Sequence, residues 1–175
     1  MGSDESEFSD FVAARSGALY RTAYFLTGGD RHAAQDLVQD ALGDACARWG
    51  SIRDISAREA FVRRIMVRTA TRRWSRRQRS REVLEAQPPD SLQPGHEDAT
   101  ATSVDLAQAL ALLSARQRAV MVLRYYDDLS EAQIAEALGC STGAVKTHAT
   151  RAIKALNATF GGTTYAPTPS TREDL

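Results

Sequence analysis

Residues 82–103 carry Pro88, Pro89, Pro94 and Gly95, few large apolar side chains, and charges of acidic sign alone. Proline removes a helical donor and fixes φ, and like charges repel, so no packed element is expected to run through this stretch. On both sides of it apolar residues recur at threes and fours, and alternating strand patterns are nearly absent. These two facts confine the chain to an all-α fold of two small helical domains, residues 1–81 and 104–160. A flexible acidic linker over 82–103 is expected to join them, and the tail 161–175 is expected to be disordered. With 175 residues, 43% of them hydrophobic, there is material for two cores but not for most large catalytic folds.

In the first half, Phe8, Phe11, Val12, Leu19, Ala23 and Leu26 mark one helix, and Gly28-Gly29 stops it. Asp30 is a natural N-cap for a second helix, whose wide apolar face holds Leu37, Val38, Ala41, Leu42, Ala45, Cys46 and Trp49. Gly50 ends that pattern, and a loop is expected to about Ser56. A third helix then runs from roughly Ala57 to Arg81, with Phe61, Ile65, Ala70 and Trp74 turned inward. Opposite the apolar face of the second helix, Asp36, Asp40 and Asp44 fall at i, i+4 and i+8. A solvated face accounts for that spacing, and so does a strip that docks on a basic protein surface.

The second half reads as a helix-turn-helix. Ser130 caps a short amphipathic helix to Leu138, Gly139-Cys140-Ser141 forms the turn, and Ser141 caps a helix whose inward stripe is Val145, Ala149, Ala152 and Leu156. Its outward face offers Thr142, Lys146, Thr147, His148, Thr150 and Arg151, short hydrogen-bonding groups and cations suited to base edges and phosphates in a major groove. Gly139-Cys140-Ser141-Thr142-Gly143 also matches the G-x-S-x-G elbow of hydrolases. That chemistry needs a strand before the serine, whereas here a helix precedes it and capping already gives the serine a task.

Net charge is zero, which by itself argues against a polyanionic partner. Position reverses the argument. Residues 1–59 come to −4, residues 60–81 hold nine arginines and no acid, residues 82–105 hold six acids and no base, and residues 141–160 come to +3. An unrelieved block of nine arginines repels itself unless phosphates or acidic segments neutralise it. Twenty of the 22 basic residues are arginine, whose planar fork matches phosphate. Two cysteines make no disulfide framework, and His32, His96 and His148 have no metal-ligand spacing, so no cofactor is expected. No apolar run reaches membrane-spanning length and the acidic start is unlike a signal peptide, so a cytoplasmic protein without membrane insertion is expected.

The succession AAQDLVQDAL (33–42), AFVRRIMVRTATRRWSRR (60–77), an acidic linker, and LLSARQRAVMVLRYYDDLSEAQIAEALGCSTGAVKTHATRAIKAL (112–156) resembles an extracytoplasmic-function (ECF) sigma factor of bacterial RNA polymerase, in particular the SigE-like actinobacterial group. The resemblance implies a protein that is no enzyme, whose partners are core RNA polymerase (β′ clamp helices and β flap) and promoter DNA, with an anti-sigma factor as a further candidate. Residues 1–81 would then be a sigma-2 domain, with Asp36, Gln39 and Asp40 on the clamp helices. Arg63, Arg64, Arg68 and Arg72 would lie at the melted −10 element, where a base is flipped out at a cost of a few kcal/mol. Residues 104–160 would be a sigma-4 domain, with Ser141, Thr142, Lys146, Thr147, His148 and Arg151 at the −35 duplex. Arg68 stands where many members carry a base-reading Asn, and Ala144 and His148 where Thr and Arg are common, so no base preference carries over. The segment GCSTGAVKTHATRAIKALN also resembles the output module of LuxR-type regulators, but the first 81 residues lack the βαβ pattern of a receiver domain.

Overall fold

The computed structural model describes residues 3–52, 55–83 and 101–160. The linker and tail expected over 82–103 and 161–175 lie almost wholly outside them. Seven α-helices follow in order among these residues: α1 (Ser3–Leu26), α2 (Arg31–Cys46), α3 (Ile55–Val83), α4 (Ala101–Ala111), α5 (Ala115–Tyr125), α6 (Glu131–Leu138) and α7 (Thr142–Phe160), and no strand is present. A single 3-10 turn, Trp49–Ser51, falls where a loop was expected, and α3 starts at Ile55, two residues ahead of the expected Ala57.

Local rules set the helix boundaries. Asp30 Oδ1 accepts from Ala33 N at 2.9 Å and begins α2. Ser114 and Ser130 each form a reciprocal capping box with the glutamine three residues on, Gln117 and Gln133. Gly139 ends α6 in the left-handed region at φ 63°, where a residue with a Cβ is strained. Ser141 Oγ accepts from Ala144 N at 3.2 Å and begins α7.

In the N-terminal half, α1 and α2 meet through Ala23, Ala34, Ala41 and Ala45, all fully buried. Small residues there let the helices approach closely. Trp49 is buried behind them, with Phe8 and Phe11 both at 4.9 Å between ring centroids and the Arg58 guanidinium stacked 4.6 Å from its ring. Arg58 is itself buried and donates to Glu7 Oε2 at 2.7 Å. Cys46, expected on the apolar face, is exposed instead.

The inward stripe of α3 is one position away from the one expected. Val62, Met66 and Val67 are fully buried, whereas Phe61, Ile65 and Ala70 are half-buried. Trp74 falls outside the described side chains. The reason is tertiary: α3 packs on α2 along one side and on α5 and α6 along another. A helix covered from two sides needs a wider apolar band than a single-faced periodicity predicts.

The two halves therefore share one continuous core, from Leu19, Leu37 and Met66 through Leu110, Leu113 and Val120 to Ile134, Val145 and Ala152. Each large side chain buried there contributes about 1.5–3 kcal/mol. At the seam the Gly28-Gly29 turn lies against α4: a Cβ on Gly28 would come within 3.2 Å of the Ala111 backbone, and one on Gly29 within 3.1 Å of Ala107 Cβ.

Arg118 ties the halves together. Its side chain has no solvent exposure and donates to Leu110 O at 2.8 Å, Ala111 O at 3.2 Å and Leu113 O at 3.1 Å, and across the seam to Leu26 O at 3.3 Å. These carbonyls end α1 and α4, where helices leave acceptors without intrahelical donors and carry partial negative charge. Burial lowers its pKa to about 10, so it is still a cation at neutral pH. Replacement of Arg118 by Met should strand those carbonyls and lower unfolding stability by about 3 kcal/mol or more, with Lys intermediate; urea titrations of the three proteins at pH 7 measure this.

Candidate nucleic-acid interface

Two basic surfaces emerge, and they are in different states. The first is the outer face of α7. Capping by Ser141 and the turn at Gly139 fix its entry angle, and Val145, Ala149 and Ala152 hold it to α5 and α6 by residues small enough for close packing. Thr142, Lys146, Thr147, Thr150 and Arg151 are exposed, and His148 is half-buried beside them. The structure thus gathers the expected residues on one helix face.

Their chemistry is narrower than the sequence implies. Thr147 Oγ1 donates to Gly143 O and Thr150 Oγ1 to Lys146 O, both at 3.0 Å, so each hydroxyl proton is spent on the preceding turn. What these threonines present outward is acceptor lone pairs and methyl groups, matched to base amino groups and thymine methyls. His148 is held below the ordinary imidazole pKa, by burial first and then by Arg116 and Arg151. It is therefore neutral at pH 7, with one donor and one acceptor nitrogen. Lys146 Nζ lies 3.5 Å from Glu131 Oε2, and Arg124 holds the other oxygen of that carboxylate at 3.1 Å. At 68% exposure Lys146 can leave this pair at little cost.

The second surface is α3, and most of the arginines whose side chains are described there are engaged. Arg63 donates to Glu59 Oε1 at 3.0 Å and places Nε 3.1 Å from Asp127 Oδ2. Arg64 pairs with Glu136 at 2.5 Å. Arg68 donates from Nε to Ala137 O at 3.1 Å and from Nη2 to Glu136 O at 3.3 Å. All of these except Glu59 belong to the C-terminal half. Arg72 is exposed on another side of the helix, at a shallow groove it lines with Gln39, Asp40 and Asp44.

On α2, Asp36, Gln39 and Asp40 form an exposed strip at i, i+3 and i+4. Asp40 pairs with Arg73 of α3, while Asp36 lines a small groove with His32 and Arg73. Among the described residues no group of His, Cys, Asp or Glu could hold a metal ion, and no helix is long and apolar enough to cross a membrane. Ser141 follows the end of a helix and spends its oxygen on a cap, which is not the setting of a hydrolase nucleophile.

Sequence reading missed Asp127 and Thr22. Thr22 Oγ1 donates to Asp127 Oδ1 at 2.9 Å, while no hydrogen bond reaches Oδ2, leaving it to the Arg63 ion pair. Burial pushes the Asp127 carboxyl above its usual pKa, and Arg63 and Thr22 pull it partly back. Asp127 sits in a polar run with Asp128 and carries no periodic signal, so nothing in the sequence marks it as buried.

The family model for sigma-70 region 2 matches residues 11–80, and that for sigma-70 region 4 matches residues 103–156. The chain is 39% identical over 153 residues to an RNA polymerase sigma-E factor of Streptomyces coelicolor, covering 86% of this chain and 84% of that protein. It is 36% identical over 150 residues to the ECF RNA polymerase sigma factor SigL of Mycobacterium tuberculosis, covering 81% and 82%. Among solved structures, the sigma factor RpoE of Bartonella quintana, crystallised with the anti-sigma factor NepR, superposes with a TM-score of 0.68 at 25% identity, over 88% of this chain and 96% of that one.

Replacing both Lys146 and Arg151 by Ala should weaken binding to duplex DNA and reduce the slope of log K against log salt by about 2, since each phosphate contact contributes about 0.9. Fluorescence anisotropy across a salt series reads this out.

Proposed function

The chain belongs to the sigma-70 family, in its extracytoplasmic-function (ECF) group, and as such directs core RNA polymerase to promoters; we propose how its own residues divide that work. Residues 1–81 act as the sigma-2 domain and residues 104–160 as the sigma-4 domain, with 82–103 as the connection between them. The observation that carries this division is the presence of two separate cationic helix faces, α3 and α7, set on opposite sides of the proline-bearing segment.

In the sigma-4 domain α7 enters the major groove of the −35 element. Lys146 and Arg151 contact phosphates, while Thr142, Thr147 and His148 meet base edges and Ser141 fixes the start of the helix. In the sigma-2 domain Arg63, Arg64, Arg68 and Arg72 line the path of the melted −10 strand. Their forks stabilise the separated strand and offset the cost of flipping a base. Asp36, Gln39 and Asp40 present an acidic strip to the clamp helices of the polymerase β′ subunit, and the sigma-4 domain meets the β flap.

The protein works by binding rather than turnover, in the cytoplasm where polymerase and promoter are. The anti-sigma factor seated on the Bartonella relative makes a protein of that type a candidate partner here too. The Arg73 pairing of Asp40 would have to yield to the polymerase, at a cost of at most about 1 kcal/mol for two groups each nearly half exposed.

Run-off transcription with core polymerase and genomic promoter fragments tests the reading: specific transcripts are expected only when the chain is added, and their absence would refute it. Asp36→Arg with Asp40→Arg should reduce pull-down of core polymerase at least ~10-fold while leaving duplex binding intact. Unchanged pull-down would return the two aspartates to an ordinary solvated face.

A further inference from the structure

We propose that Arg116, which lies outside the helix-turn-helix, grips duplex DNA together with Arg151, and that duplex binding is coupled to uptake of a proton by His148 beside them. This rests on the assignment of α7 to the duplex. Arg116 stands exposed in the first turn of α5, and Arg151 stands exposed on α7. The two helices pack together, and both guanidiniums lie close enough to the half-buried His148 ring to disfavour its charged form. Side chains from two helices thus make one cluster. The first turn of α5 holds no acid and lies at the positive end of its helix, which strengthens the local potential.

Among the described residues neither Arg116 nor Arg151 has an ion-pair partner. The charged groups of α7 itself, Lys146, Arg151 and Lys154, are all cations. On α6, the other helix packed against α7, the acids are held elsewhere: Glu131 by Arg124 and Lys146, and Glu136 by Arg64. Cations gathered in this way repel one another, and a phosphate on each fork removes the repulsion.

The imidazole responds to that change. In the free chain burial, then Arg116 and Arg151, hold His148 below the ordinary imidazole pKa. Phosphates that neutralise the two guanidiniums lift the electrostatic part of this depression and set negative charge beside the ring. Further loss of water at the ring acts the other way, and is the smaller effect where the duplex carries one charge per ~1.7 Å. The complex therefore binds more protons than its separate parts, and affinity rises as pH falls through the imidazole range. The coupling runs through phosphates, so it holds for any duplex sequence. Once charged, the ring offers a second N–H donor to the base edges it meets. An arginine in its place would carry a fixed charge and show no such dependence.

Fluorescence anisotropy of the full chain with a short duplex of mixed sequence tests both parts. The unmodified chain should bind roughly 3-fold or more tighter at pH about 6 than at pH about 8. His148→Gln, neutral throughout, should keep only a small part of that gain, and equal pH dependence in the two proteins would overturn the coupling. Arg116→Ala should reduce the slope of log K against log salt by about 0.9, the contribution of one phosphate. An unchanged slope would overturn the contact.

A measurement on the unmodified chain needs no variant to fold. Followed by NMR, the His148 ring should titrate below the ordinary imidazole range when free and higher once the duplex is added. A midpoint that stays or falls would refute the coupling. Failure of the α7 assignment has a different signature. If Lys146→Ala with Arg151→Ala leaves duplex binding unchanged, α7 is not the duplex helix and both readings fall. If that pair weakens binding while Arg116→Ala and pH change nothing, only the roles given to Arg116 and His148 fall.

Discussion

A guanidinium shielded from all solvent, that of Arg118, sits where the ends of two helices from different halves of the chain meet. Helix C-termini gathered into one buried place would concentrate acceptors without donors, an arrangement that is costly unless something cationic and multiply donating lies among them. Arg118 is that group. It satisfies carbonyls of α1 and α4 together, and so makes the packing of α4 on the Gly28-Gly29 turn compatible with a dry core. Once that corner is dry, α5 runs along α3, and the loop at Asp127 is delivered to Thr22 and Arg63.

Much of this was legible in the sequence. Caps at Asp30, Ser130 and Ser141, the left-handed Gly139, and the inward stripe of α7 follow from local rules that tertiary structure leaves alone. The face of α3 was not legible. Periodicity reports how many apolar positions a helix has, but not that two neighbours will cover it, and so Val62 and Met66 replaced Phe61 and Ile65 at the centre. The buried roles of Arg58, Arg118 and Asp127 were hidden for a related reason. A charged residue in a sequence suggests solvent, and only the geometry of a partner such as Glu7, Leu110 O or Arg63 shows that it can be dry.

The charge blocks deserve the same distinction between inventory and placement. Zero net charge conceals a block of nine arginines at 60–81, and among the described residues acids from the C-terminal half meet part of it across the seam. They are Asp127 and Glu136, from a segment whose own balance is only −1. Two well-placed carboxylates and one helix end engage Arg63, Arg64 and Arg68 directly.

The two-glycine turn has a consequence for modularity. Families built from separable reading domains invite the exchange of one domain for another to make hybrids of new specificity. Here Gly28 and Gly29 have no room for a methyl group, so closely do they lie against the small side chains of Ala107 and Ala111. A transplanted C-terminal domain with anything bulkier at those two positions would keep its own fold and its own recognition helix. It would nonetheless lose its seat on the host.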